Sequence, residues 1–415
     1  MKTWDVIIIG AGPAGLLAAG RAAELGSKVL ILEKMRQEGR KLMITGKGRC
    51  NITNSAEIGE FITHVFPKGK FLRNAFSQYF SEDIISLLEN YGLDVTLERG
   101  GRYFPTNNKA PEVLKAILKW INELGVEIYT DYQVEKLLVE DGSVIGVQAN
   151  AKEFIAPNVI IATGGKSYPA TGSTGDGYEL ARRVGHKIQK PIPALVPVET
   201  EGQIAKKLQG LNLKNVRAVI WVNGKKHGEA FGEMIFTHFG LSGPIILTLS
   251  RIMVTELQNG NKVEVSIDLK PALDEQKLDN RLIRDLNEHG KKRLANIFRQ
   301  WLPASMVPVF IEELGLNPNK ECHQVSSKER KQIRHLMKNF KLKVSHHRSF
   351  KEAIITAGGI STDEIRPKTM ESKLVKGLYF AGEVIDLDAE TGGYNLQIAY
   401  STGWLAGNAA ANSNK

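Results

Sequence analysis

Between residues 5 and 33 the chain carries a pattern that few folds can use: an apolar run, a glycine-spaced turn, a helix-forming run and a second apolar run. Asp5–Ile9 (DVIII) reads as a buried parallel strand. Pro13–Leu25 predicts a helix, with proline early, alanine and leucine throughout, and Gly26 placed to stop it. Lys28–Leu32 predicts the next strand, ending at Glu33. The turn is Gly10-x-Gly12-x-x-Gly15. Gly10 permits a tight turn, Gly12 lets the backbone approach a diphosphate, and Gly15 lets the helix pack close to the strand. Pro13 and Ala14 open the helix there, so its free N–H groups and partial positive charge face the same point. Glu33 lies 23 residues after Gly10, where a carboxylate accepts from ribose hydroxyls and repels a 2′-phosphate. This favours FAD or NAD over NADP. An ordinary glycine turn of an α/β protein is the alternative.

Bulk properties narrow the class. The 415 residues allow two or three domains, and 42% hydrophobic with 24% charged residues supports a sizeable core. Two cysteines, Cys50 and Cys322, build no disulfide framework, which fits a reducing, cytoplasmic setting. The apolar stretch Val6–Ala19 follows Asp5, is broken by glycines and runs into Arg21 and Glu24, so it does not read as a signal peptide. No run of 18 apolar residues suggests a membrane span. The net charge is +10, and Lys328–Lys351 alone holds nine Lys or Arg against Glu329. That segment is either a site for nucleic acid or an acidic partner, or a solvated helix face. Only Phe340 and Phe350 interleave, so it predicts no base-stacking platform.

Further along, Met35–Asn54 is glycine-rich and basic, without helical or strand period, and reads as a loop over something. Helices are predicted at Phe71–Tyr91 and Pro111–Leu124. Strands follow at Glu127–Thr130, Gln133–Glu140, Val144–Ala149 and Asn158–Ile161. Pro191-Ile192-Pro193 marks a boundary. Beyond it, 193–270 is predicted β-rich, and 276–345 helical. Gly377–Ala381 returns as an apolar strand and Asn395–Ala410 as a helix, with Asn412–Lys415 frayed.

Three downstream segments separate FAD from NAD. Ile160–Gly165 runs a strand into Ala162-Thr163-Gly164-Gly165. Thr171–Gly177 (TGSTGDG) leads into a helical run. Gly377–Asp386, with Gly382 and Glu383, precedes Thr391-Gly392-Gly393-Tyr394-Asn395-Leu396-Gln397. These resemble the two-dinucleotide-binding-domain flavoproteins. There an acidic residue after the late strand reaches the ribityl chain, and the following helix aims its N-terminus at the flavin N1–C2=O edge, where reduction gathers negative charge. The expected fold is α/β: a Rossmann-like FAD-binding domain (1–192 plus 350–415) interrupted by an inserted mixed β/α domain (193–349).

Longer strings sharpen the resemblance: Lys41-Leu42 with Thr45–Asn54 (TGKGRCNITN), Ala162–Tyr178, Gly232–His238 with Gly240–Pro244, and Gly377–Gly403. They are similar to the BaiN-like or YhiN-like NAD(P)/FAD-dependent oxidoreductases over nearly the whole chain. The resemblance implies non-covalent FAD and reductase chemistry. It makes Glu33, Lys34, Arg40, Lys41, Val134, Thr163, Gly164, Glu383, Asn395, Leu396 and Gln397 candidate FAD contacts. One activity named in the family is reduction of conjugated C=C bonds in steroid-like enones. The expectation is hydride passing from NAD(P)H through flavin N5 to an activated double bond of a small apolar substrate. No second glycine-rich βαβ unit is present, so NAD(P)H would dock transiently or another donor would serve. The covalent-flavin histidine and dicarboxylate signatures of succinate dehydrogenase relatives are not evident.

The Thr45–Asn51 loop supplies further contacts, with Gly46 allowing close approach, and Lys47 and Arg49 able to stabilise an anion. Cys50 has no nearby second cysteine, so it reads as a packing residue rather than a redox partner. His238, in the glycine-punctuated loop with Thr237 and Ser242, is a candidate acid, as are Tyr394 and Tyr168. His346-His347 lacks partners for a metal site. Two rival readings stand beside the reductase: an RNA-associated flavoprotein using the basic 328–351 segment, and a flavin-bearing regulator without turnover. Substrate, donor and oligomeric state are open at this point.

Overall fold

The computed structural model describes residues 3–413. The chain divides into two compact units, Met1–Pro193 with Ala353–Lys415, and Ala194–Glu352.

The first unit is built on β1 (Val6–Ile9), α1 (Pro13–Glu24) and β2 (Val29–Leu32), the unit expected from the glycine pattern. Both strands are buried along their whole length, which is why they are continuous apolar runs rather than alternating ones. Five parallel strands form the sheet, in the order Leu378–Phe380, Asn158–Ile161, β1, β2, Glu127–Tyr129. Sequence order reverses between β1 and Asn158–Ile161. Ligands of open α/β sheets bind at the carboxyl ends of the strands at such a reversal.

The helix Tyr394–Asn412 lies parallel to α1 with almost no gap. A Cβ built on Gly403 would sit 2.2 Å from the Ala14 carbonyl oxygen, and one on Gly407 would sit 2.2 Å from that of Ala18. On its other side, Gly20 of α1 admits the Trp120 ring, which a Cβ would meet at 2.1 Å. The sheet's first helix is therefore held by backbone contact on one flank and an indole on the other.

His186 is enclosed in this unit. Its side chain has no exposed surface; Nδ1 lies 3.2 Å from Glu364 Oε2 and Nε2 2.8 Å from Ser372 Oγ. The Ser372 hydroxyl already accepts from the Leu374 and Val375 amides, so its own proton points to Nε2. Burial lowers the His186 pKa, with Glu364 opposing. The unfolded chain thus takes up the proton first. Stability should be undiminished above the ordinary imidazole value, fall as pH drops through it, and stop falling below the lowered folded value. Urea midpoints should show this acid loss in the wild type and a shallower one in His186→Gln.

The second unit has its own core around a closed six-stranded barrel, in the order Val198–Thr200, Gly240–Ser242, Lys225–Phe236, Asn212–Val222, Val263–Asp268, Phe340–His347. The helix Pro244–Gln258 packs on it where Gly228 and Gly232 leave room; a Cβ at either would meet Ile252 or Ile245 at 2.9 Å.

Several expectations need correction. Region 193–270 contains the helix Pro244–Gln258, and region 276–345 runs into a strand at Phe340. There Phe340, Leu342 and Val344 face inward and Lys341 and Lys343 outward, a period of two masked by the lysines around it. Met35–Asn54 is not all loop, since Arg40–Ile44 is helical and Thr53–Asn54 pairs with Arg102–Pro105. Phe71–Tyr91 is two helices, Arg73–Gln78 and Ser81–Asn90; the second is capped by Asp83, whose carboxylate accepts from the Phe80 amide at 2.6 Å. Within the stretch 276–345 predicted as helical, the chain also breaks around Gly290 between the helices Glu275–Glu288 and Leu294–Trp301. Of the residues expected to fray, Asn412 ends the last helix, and 414 and 415 lie outside the described residues. No helix among the described residues is long and apolar enough to cross a membrane.

Candidate active site

The glycine turn forms a cradle with one open side. Gly10 has φ +103° and abuts the neighbouring strand's end, where a Cβ would meet the Ala162 carbonyl oxygen at 2.7 Å. A Cβ on Gly15 would sit 2.0 Å from the Gly10 carbonyl oxygen, so only glycine lets α1 start this close to β1. Gly12 differs: a Cβ there would meet nothing within 4 Å. Gly12 is the N-cap of α1, Pro13 follows, and no side chain caps the helix. The first N–H groups of α1, at Ala14 and Gly15, therefore lack a side-chain acceptor. Beside them Gly39 donates its amide to the Ala11 carbonyl, and Arg40 follows, half-buried and without an ion-pair partner among the described residues.

Glu33 closes the far side of the cradle. Its Oε2 accepts from the Ala11 amide and its Oε1 from the Met35 amide, each at 2.8 Å. Each oxygen keeps a further lone pair. Three distant segments gather at this corner. The Tyr132 amide donates to the Glu33 carbonyl, two residues before buried Val134. Lys34 Nζ meets Asp176 at 2.6 Å, and a Cβ on Gly172 would meet Met35 at 2.9 Å. The Thr171–Gly177 turn is thus pinned to the end of β2. Beside Gly10, Gly164 takes φ +72°, and the Thr163 hydroxyl is buried with no partner among the described residues.

Glu383 is the next centre. Oε2 meets Lys41 Nζ at 2.6 Å; Oε1 accepts from Ser167 Oγ and from the Thr356 amide, both at 2.9 Å. Thr356 Oγ1 in turn accepts from the Lys166 and Ser167 amides. Gly382, just before, has a Cβ position 2.8 Å from Ala14 Cβ, so this turn sits on the first turn of α1.

The last helix completes the site. Its N-cap is Gly393, again without a side-chain cap. A Cβ there would strike Thr53 backbone at 2.4 Å. Gln397 Oε1 accepts from Thr53 Oγ1 at 2.6 Å, and Asn54 donates to the Gly392 carbonyl at 2.9 Å. Asn51, with its amide turned, accepts from the Gly393 amide at 3.0 Å. Asn395 ties Ala389 on both sides through its side-chain amide, and half-buried Leu396 follows. Gly403 meets Ala14 midway along the helix, so the N-terminus of this helix projects past that of α1 by roughly 12 Å. The loop before Asn51 is tightly wound. Thr45 Oγ1 donates to the Leu42 carbonyl, Gly46 and Lys47 are left-handed, and Cys50 is left-handed and fully buried, which pushes its thiol up to about 12. A thiol so shielded is inert rather than reactive.

A family model described as HI0933-like protein Rossmann domain matches residues 4–409. The chain belongs to the HI0933-like family. This bears out the family read from the sequence, one of FAD-dependent flavoprotein oxidoreductases. Relatives include the 3-dehydro-bile acid delta(4,6)-reductase of Clostridium scindens, 31% identical over 97% of this chain and 98% of that protein. The ribosomal RNA dihydrouridine synthase of Escherichia coli is 30% identical over 97% of each. Among solved structures, the Mycobacterium smegmatis Sdh1 complex in its apo form superposes with a TM-score of 0.51 at 20% identity, covering 99% of this chain and 68% of that one, a likeness of fold.

The residues of this HI0933-like chain fit FAD. An uncapped helix start with one open face, the unpaired Arg40, the unpartnered Thr163 hydroxyl and the spare lone pairs of Glu33 are what a diphosphate-linked adenosine needs. Three residues expected to act chemically are placed differently. Arg49 lies over the Phe104 ring at 4.1 Å, donates to Asn108 at 2.6 Å and pairs with Glu98, so its charge is already met. Tyr394 is buried between the Phe61 edge and the His64 face, and burial raises its phenol pKa, with Glu60 and Glu390 adding to it. That makes it a weaker acid. His238 belongs to the second unit, exposed on the turn between two barrel strands, beside Phe239. Tyr168 is held at φ +52° before a short turn. Ser167, Thr53 and Thr356 were missed, because single hydroxyls leave no pattern; the Gly358-Gly359 pair after Thr356 was the available hint.

Proposed function

We propose that this protein holds FAD non-covalently and reduces an activated carbon–carbon double bond with hydride from NAD(P)H. One observation carries the reading: two helix starts without side-chain caps, Gly12 and Gly393, belong to helices in backbone contact at Ala14 and Gly403, and the Lys41–Glu383 pair follows Gly382, which packs on that same first turn of α1. Bound FAD supplies the two-electron carrier between donor and acceptor. The α1 amides and Arg40 hold its diphosphate, and Glu33 the ribose. Lys41 fixes Glu383 toward the ribityl chain. The Gly393 helix start, braced by Asn51, Thr53 and Gln397, favours negative charge on the ring edge. The names of the two full-length relatives share a chemistry. A delta(4,6)-reductase saturates carbon–carbon double bonds, and dihydrouridine is uridine with its ring double bond saturated. Both bonds are made electrophilic by a conjugated carbonyl.

The test is anaerobic mixing of the FAD-loaded protein with NADH or NADPH. Flavin absorbance should bleach and return on adding an enone. A protein that stays colourless with FAD ends the cofactor assignment, and one that neither nicotinamide bleaches ends the donor assignment.

A second reading makes the acceptor a uridine within RNA. The printed name of the Escherichia coli relative favours it. So do Lys328, Lys331, Lys341, Lys343 and Lys351, which are exposed. The segment's other basic residues are engaged internally: Arg330 and Arg334 with Asp279, Lys338 with Asp268, Arg348 with Glu199. Binding to a ribosomal RNA fragment should weaken with salt by a log–log slope of about −0.7 to −0.9 per phosphate contact. It should fall when the five exposed lysines become glutamine, and unchanged binding in that variant dismisses the segment's role.

A further inference from the structure

Saturating a conjugated double bond needs a proton as well as a hydride. Of the residues read from the sequence as acids, Tyr394 is enclosed and His238 is exposed on a turn of the second unit. The ring that encloses Tyr394 is a better-placed acid. His64 lies face to face with Tyr394, with centroids 4.5 Å apart and planes 20° from parallel. Its Nδ1 is 2.9 Å from Glu390 Oε2. The pairing is fixed by backbone: the Glu390 amide donates to the His64 carbonyl, and Val65–Phe66 pairs with Asp388–Ala389. Asn395 clamps the same loop by accepting from Ala389 and donating to the Ala389 and Glu390 carbonyls. Tyr394 is the first residue of the helix whose start meets Asn51 and Thr53. His64 and Glu390 remain 28% and 30% exposed, so the pair opens to solvent beside the proposed ring site. A histidine whose Nδ1–H is held by a carboxylate presents Nε2 outward, as a general acid when protonated.

We propose that His64, oriented by Glu390, delivers the proton that completes double-bond reduction. The inference rests on the FAD-reductase reading above. Hydride from the reduced flavin adds to the carbon β to the acceptor's carbonyl, and the double-bond electron pair moves to the α carbon. That carbon takes the proton from imidazolium Nε2, leaving neutral His64, which solvent reprotonates. The acceptor is reduced by two electrons and the flavin reoxidised by two. Glu390 faces the ring at Nδ1, and Glu60 acts on the Tyr394 ring stacked against it. Glu390 is a positioning residue.

The experiment separates the half-reactions. FAD-loaded wild type, His64→Gln, Glu390→Gln and His238→Gln are reduced with dithionite, which bypasses the nicotinamide, then mixed with 2-cyclohexenone or a Δ4-3-ketosteroid. Reoxidation should slow by about 10²-fold or more in His64→Gln and less in Glu390→Gln, while bleaching by NAD(P)H stays unchanged. Added imidazole should restore part of the rate in His64→Gly. Nitrogen-15 NMR of the FAD-free protein should show His64 with its proton on Nδ1, and Glu390→Gln should shift that balance. Unaltered reoxidation in His64→Gln, or a loss found only in His238→Gln, overturns the proposal. So does a wild-type His64 with its proton on Nε2, whether or not an acceptor reacts. Wild-type flavin that no acceptor reoxidises counts against the reductase reading instead.

Discussion

Gly12→Val should purify as a folded, colourless protein. Gly12 has φ −84° and ψ −179°, which any residue adopts, and an added Cβ touches nothing within 4 Å. The change should therefore cost the apoprotein no more than about 0.5 kcal/mol, as for a surface substitution. The isopropyl group would instead fill the open side of the cradle, over the amides assigned to the diphosphate. FAD affinity should fall at least ~100-fold, about 2.7 kcal/mol. Gly15→Ala is the contrast. Its methyl would lie 2.0 Å from the Gly10 carbonyl oxygen, so α1 must retreat from β1. That should cost roughly 3 kcal/mol of stability before any cofactor is added. FAD fluorescence titration and thermal unfolding of the apoproteins separate the two. A yellow Gly12→Val with unchanged affinity would move the diphosphate elsewhere.

Gly403→Ala and Gly407→Ala should each destabilise the protein, against the usual helix preference. Alanine in a helix is favoured over glycine by about 1 kcal/mol. Here each methyl would lie 2.2 Å from a backbone oxygen of α1, and neither backbone can yield locally. Overpacking of this kind costs about 1–3 kcal/mol or more, so the net change should be a loss of about 2 kcal/mol, several degrees in Tm. The two changes should not add. Once the first has pushed the helices apart the second meets less resistance, so the double variant should cost less than the sum. Full additivity would mean the two glycines respond separately. The displaced helix also carries Gly393 and Gln397 away from Thr53, so both variants should weaken FAD binding in proportion.

What could be read from sequence follows from how local each constraint is. The β1–α1–β2 unit was legible because its two apolar runs, its helix and its glycine turn follow one another within thirty-odd residues, with Gly15 set directly against Gly10. The corner at Glu33 was legible in kind, yet its partners Asp176 and Tyr132 arrive from more than 95 residues away, and spacing is silent about them. The Glu383 centre was half seen. Its acid ends a strand and stands out, while Ser167 and Thr356 are ordinary hydroxyls until the fold sets them around one carboxylate. His64 carried no signal at all, since its meaning comes from Glu390 and Tyr394, over 320 residues later. The barrel strand at Phe340 was hidden for the opposite reason: a strong charge signal covered a weaker alternation.

The parallel seam between α1 and the final helix has a consequence for biosynthesis. A ribosome delivers the proposed diphosphate cradle well before the proposed ring support, with a separate barrel made in between. Nascent chains can close the sheet edge at Leu378–Phe380 and seat Gly403 on Ala14 only after the whole barrel has been made. A prematurely terminated product would have an anion cradle and no means of clasping the vitamin-derived cofactor. Yellow colour in a cell extract would therefore report chains that carry both helix starts, and the cell's flavin would not be sequestered by fragments that lack the second.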